Sequence, residues 1–89
     1  QFVLLPESQM ATMGASAFKD MKSKAKISTD PKINEYVNCI VQPMLKITGP
    51  VEGVDQWEVV VFDDKQVNAF ALPGGRIGIY TGIIKVAET

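Results

Sequence analysis

The run Val67-Asn68-Ala69-Phe70-Ala71-Leu72-Pro73-Gly74-Gly75-Arg76-Ile77-Gly78-Ile79-Tyr80-Thr81-Gly82 decides how this chain folds. Residues 67–72 and 76–80 read as two strands joined by a tight turn at Pro73-Gly74-Gly75. The glycine pair permits the positive φ values such a reversal needs. In the second of these strands the alternation puts Ile77 and Ile79 on one face and Gly78 and Tyr80 on the other. The glycines lack the spacing and the lysine of a phosphate-binding loop, so turn geometry explains them. Thr81 suits the cap of a helix over residues 82–88.

Working upstream, residues 57–62 (Trp57-Glu58-Val59-Val60-Val61-Phe62) are β-branched and aromatic, which predicts another strand. Four apolar residues in a row, Val59 to Phe62, predict burial on both faces. Asp63-Asp64-Lys65-Gln66 is turn material. The two aspartates also offer oxygen ligands, but no second oxygen cluster accompanies them, and a turn is the reading adopted.

The first half has helical period. Pro6 fits a first turn and Glu7 suits the positive end of the dipole. Met10, Met13, Ala17, Phe18, Met21 and Ala25 then recur at three- and four-residue steps, predicting a helix over residues 7–26. Its three methionines suit either core packing against the next helix or an adaptable groove, and core packing is preferred. Asp30-Pro31 opens a second helix, whose stripe is Ile33, Tyr36, Val37, Ile40, Val41, Met44 and Leu45. Pro43 is expected to kink or end it near Gln42, because it removes the bond to the Cys39 carbonyl. Cys39 itself is expected to be a small buried hydrophobe. Thr48-Gly49-Pro50 closes a helical pair over residues 1–50, and 51–56 connects it to the strands of 51–89.

Composition narrows the function. Nine basic and ten acidic residues leave a net charge of −1, which gives no general field for nucleic acid or anionic lipid. Lys19, Lys22, Lys24 and Lys26 cluster on what reads as a solvated helix face. One cysteine allows no internal disulfide and no thiolate zinc cluster. Histidine is absent altogether, which removes the commonest general base and metal ligand together. No apolar run approaches the roughly 18 residues of a spanning helix.

The segment over residues 67–87, from Val67-Asn68-Ala69-Phe70-Ala71 to Thr81-Gly82-Ile83-Ile84-Lys85-Val86-Ala87, resembles a stretch of the HtpX-like and CAAX-prenyl-endopeptidase zinc metallopeptidases. In that family an Asn-Ala-Phe-Ala strand and a Thr-Gly helix start lead into the zinc-binding His-Glu-x-x-His helix. Asp30-Pro31 with Tyr36-Val37, and Trp57-Glu58-Val59, are similar to upstream parts of the same family. Residues 2–18 resemble the region after the lipid-anchor cysteine of bacterial periplasmic lipoprotein members.

The resemblance implies an N-terminal portion of a metallopeptidase domain, read as stopping before the zinc motif. Zinc is then the cofactor of the parent protein, and this chain is expected to hold no metal ligands, no catalytic residues and no activity of its own. The expected fold is α+β: two amphipathic helices, a three-stranded mostly antiparallel sheet and the start of a third helix. By the same resemblance Asn68, Ala69, Phe70 and Ala71 are candidate substrate-binding residues on an edge strand that an extended peptide joins through main-chain bonds. A central position for this strand is the alternative. Implied partners are a peptide or unfolded protein substrate and the remainder of the catalytic domain, with no nucleic acid. The implied setting is the bacterial periplasm, with a lipid anchor upstream of Gln1 and a role in protein quality control. The competing class is a non-catalytic binding module that self-associates or swaps elements through its sheet edge and apolar third helix.

Overall fold

The computed structural model describes residues 4–87; the expectations for residues 1–3, Glu88 and Thr89 lie outside them. Two helices, α1 (Glu7–Lys24) and α2 (Pro31–Thr48), precede three strands and a third helix. The strands are β1 (Glu58–Phe62), β2 (Ala69–Leu72) and β3 (Arg76–Tyr80), and α3 (Thr81–Ala87) follows β3 without a break. The expected α+β layout is what the chain adopts.

In the sheet the order is β1-β3-β2. β2 and β3 form the expected antiparallel hairpin, with Phe70 opposite Gly78 and Leu72 opposite Arg76. β1 adds to the other side of β3 in parallel, Val60 opposite Gly78. The turn at Gly74-Gly75 has φ values of 92° and 86°, in the region that favours glycine. β1's outer edge is partly occupied: Ser28 N–H donates to the Val61 carbonyl and Asp63 N–H to that of Lys26, each at 2.8 Å.

Strand parity assigns the helices to different faces. One face carries Glu58, Val60, Phe62, Phe70, Leu72, Arg76, Gly78 and Tyr80. Against it lies α1, whose Phe18 is fully buried with its ring centroid 6.1 Å from Phe62 and 6.2 Å from Phe70. Val59, Val61, Ile77 and Ile79 face the other way, where Val61 packs with Val37 of α2 and Ile84 of α3. The expected helical pair is thus corrected. Each helix had an apolar stripe, and the sheet, apolar on both faces, received one on each side.

Local expectations also shift. α1 ends at Lys24 and buries Gly14 and Phe18, while Met13, Ala17 and Ala25 are exposed. Its contact stripe is therefore narrower than the methionine spacing predicted. Asp30 caps α2 as read, its carboxylate accepting the N–H groups of Lys32 (2.9 Å) and Ile33 (3.4 Å). Pro43 does not end α2, which runs on to Thr48 and closes at Gly49. Both Pro43 and Cys39 lie on the exposed side, so water can take the carbonyl bond that proline cannot make. That exposure also overturns the buried position expected for Cys39.

Candidate functional site

Of the expected edge residues, Ala69, Phe70 and Ala71 sit on a terminal strand, and Asn68 immediately precedes it. β2 pairs only with β3, leaving its other side unpaired among the described residues. Which main-chain groups face outward follows from one bond. Tyr80 N–H donates to the Asn68 carbonyl at 3.1 Å, in register with the hairpin ladder. Antiparallel ladders alternate, so Phe70 and Leu72 also bond inward to β3. The N–H and C=O groups of Ala69 and Ala71 therefore point to the open side. Both alanines are exposed, and their small side chains do not crowd that edge.

Asn68 occupies part of this row itself. Its side-chain Oδ1 accepts the Ala69 N–H at 2.9 Å. The acceptor half of its amide is thus committed, and its NH2 is what it can offer an incoming chain. Phe70, the fourth candidate, turns its side chain to the α1 face. There its ring stacks with Phe62 and meets Tyr80 edge-on at 6.0 Å. It supports the strand and contributes no side chain to the open side.

The start of α3 is tied to the segment that leads into β2. Thr81 was expected to cap the helix; its hydroxyl is used otherwise. Oγ1 donates to the Asp64 carbonyl at 2.9 Å and accepts the Asp64 N–H at 3.0 Å. Gly82 N–H adds a bond to the same carbonyl at 2.8 Å. The Lys65 and Gln66 carbonyls rest so close to Gly82 that a Cβ there would collide with both. The Asp64 carboxylate accepts Gln66 N–H at 2.9 Å, and Asp63 pairs with Lys26 at 3.3 Å. The two aspartates are turn and surface groups. Nothing in the sequence distinguished Thr81 as a loop anchor from Thr81 as a cap, since both uses need the same hydroxyl.

On the opposite side from α1, an apolar groove of about 240 Å³ opens between α2 and α3. Tyr36, Ile40 and Val41 form one wall, Ile83 and Ala87 the other, and Ala69 and Ile79 the floor. Beyond it, Met44 and Ile47 continue an exposed apolar row along α2. The α1 side is more polar: Lys22 Nζ lies 2.6 Å from Glu58 and 5.3 Å from the Phe18 ring centroid, while Arg76 approaches Glu58 from β3 at 3.7 Å. Lys22 is thereby drawn out of the solvated lysine face.

Comparison with known proteins supplies the family. The model of peptidase family M48 matches residues 31–89. The chain belongs to peptidase family M48. Mitochondrial metalloendopeptidase OMA1 of Arabidopsis thaliana is 34% identical over 79 residues, covering 88% of this chain. The mitochondrial metalloendopeptidase OMA1 of Danio rerio is 30% identical over 79 residues, covering 85% of the chain. The chain spans 16% of the length of each of these relatives.

A metallopeptidase needs a metal, and this part of the family fold does not supply its ligands. No histidine occurs in the sequence, and no group of three or more His, Cys, Asp or Glu side chains among the described residues is placed to hold an ion. The residues present do not fit a zinc centre. No described helix is long and apolar enough to cross a membrane.

Proposed function

We propose that this chain builds the N-terminal part of the catalytic domain of a zinc-dependent metalloendopeptidase, and that the open side of β2 takes the main chain of an extended substrate. The observation that carries this reading is the outward row of the Ala69 carbonyl and the Ala71 N–H and carbonyl, which offers an acceptor, a donor and an acceptor in turn to an added strand. Zinc and the water-activating glutamate belong, in this reading, to residues of the whole protein outside these 89. The substrate is a peptide or an unfolded protein, because only an extended chain matches the edge.

The remainder of the catalytic domain is the proposed occupant of the α2–α3 groove. Two facts support this. The chain amounts to 16% of its relatives, so most of such a protein has yet to find its packing surface. The radius of gyration is 14.2 Å, against about 12 Å for a closed domain of this length. We place the protein in the HtpX-like and CAAX-endopeptidase branch and in the bacterial periplasm, in quality control, on the resemblance of residues 2–18 and 67–87.

Replacing Ala71 with proline tests the edge. Proline fits an edge strand when its missing N–H faces outward, so Ala71→Pro removes one outward donor and spares the ladder. In the whole protein it is expected to lower peptide turnover about fivefold, the value of one hydrogen bond, with unchanged melting temperature. Asn68→Ala is expected to lower turnover in the same way. Unchanged turnover in both variants sinks the edge as the substrate site.

A second reading, a non-catalytic self-associating module, is favoured by the same open edge and uncovered groove. Loss of chelator-sensitive proteolysis from the whole protein, with dimerisation retained, would select it.

A further inference from the structure

We infer that Thr81 is a positioning residue for the substrate edge, fixing where β2 begins by clamping the preceding crossover to the first turn of α3; this rests on the edge-strand reading above. The crossover from β1 to β2 spans the end of β3 and is otherwise exposed from Lys65 to Asn68. Its two attachments fall on neighbouring residues. At one, Asn68 accepts Tyr80 N–H; at the other, Asp64 exchanges two bonds with the Thr81 hydroxyl and accepts Gly82 N–H. Three residues separate these anchors, too few to absorb a displacement at Asp64 without moving Asn68 and the outward groups of Ala69.

The chemistry required at position 81 is narrow. The side chain must donate and accept at once, toward the carbonyl and N–H of one residue, from a position only 6% exposed. Threonine and serine meet that need. Valine has the same shape and meets neither half, leaving the Asp64 N–H without its partner. Gly82 completes the clamp from the other side, because the Lys65 and Gln66 carbonyls close over it. This device is separate from helix capping and from any metal ligand. It acts through the strand on the substrate main chain, so its loss should appear in substrate capture before it appears in turnover of bound substrate.

The test is a set of variants in the whole protein, assayed on an unstructured peptide with KM and kcat resolved. Thr81→Val is expected to raise KM about fivefold with kcat within about twofold, and Thr81→Ser to restore the parent KM. Thr81→Ala, which removes the same hydroxyl with a smaller side chain and so both of its bonds to Asp64, is expected to raise KM in the same direction. It serves if Thr81→Val does not fold. Ala71→Pro separates the two ideas. If Ala71→Pro raises KM while Thr81→Val and Thr81→Ala leave it unchanged, the clamp is refuted and the edge reading stands. If neither Ala71→Pro nor Asn68→Ala has an effect, the edge reading fails and the inference falls with it. A Thr81→Val variant that lowers kcat alone, or that serine does not rescue, also overturns the positioning role.

Discussion

The ring of Phe70 occupies the space where a Cβ on Gly78 would stand, so the two strands of the hairpin meet as aromatic face against bare backbone. Gly78 lies at the centre of the sheet, opposite both Val60 and Phe70. Its lack of a side chain lets Phe70 settle among Phe18, Phe62 and Tyr80, with centroids 5.7 to 6.2 Å apart. Gly78→Ala forces that ring out of place and is expected to cost about 1–3 kcal/mol, measured by urea unfolding. An unchanged midpoint would show that the ring has room to move.

Phe18 is the side chain through which α1 holds the sheet. It is fully buried and touches two rings of the cluster. Phe18→Ala should cost about 3–5 kcal/mol, the usual range for an aromatic cavity. Because α1 meets only this face, the same variant should expose α1 to proteolysis before α2. Simultaneous cleavage of both helices would contradict the two-sided arrangement.

Pro43 offers a test in the opposite direction. It sits inside α2 at an exposed position and denies Cys39's carbonyl its helical partner. Pro43→Ala restores that bond and removes the steric conflict, so the chain should become more stable by about 1–3 kcal/mol. A loss of stability would mean that the proline shapes α2 for a contact with the sheet.

The elements were largely legible because each carried its own local pattern. Asp30-Pro31 marked a helix start through side-chain chemistry that acts within three residues, and Gly74-Gly75 marked the turn through backbone freedom alone. What the sequence could not show was which surface each stripe would meet. The methionine spacing of α1 fits a helix partner and a sheet equally well, and only the two-sided apolar character of Val59 to Phe62 hinted at a sheet covered on both sides. Of the two outcomes expected at Pro43, a kink or an end, the helix does not end there, because the cost of a missing helical bond depends on whether water reaches the freed carbonyl, which is a matter of burial. At the candidate site, the edge position proposed for this strand was legible from the resemblance, and the sheet order agrees with it. The division of labour among residues 68–71 was not, since it depends on ladder parity. Thr81 escaped because its partner, Asp64, is 17 residues away.

The uncovered groove predicts behaviour of the isolated chain. Ile40 lines it and remains 47% exposed, so Ile40→Glu should alter folding stability by no more than about 0.5 kcal/mol. The parent chain is expected to self-associate in sedimentation experiments, and Ile40→Glu to shift it toward monomer. A monomeric parent chain at high concentration would remove the groove as an adhesive surface.

The most direct test of the substrate edge is amide hydrogen exchange at three consecutive residues of β2. Phe70 and Leu72 bond inward and Ala71 points outward, so in the free protein Ala71 should exchange fast and its neighbours slowly. Adding an unstructured peptide substrate to the whole protein, inactivated by chelation, should slow Ala71 and leave Phe70 and Leu72 as they were. An Ala71 amide that is already protected in the free protein, or that the peptide leaves unchanged, would contradict the assignment of β2 as the strand that receives substrate.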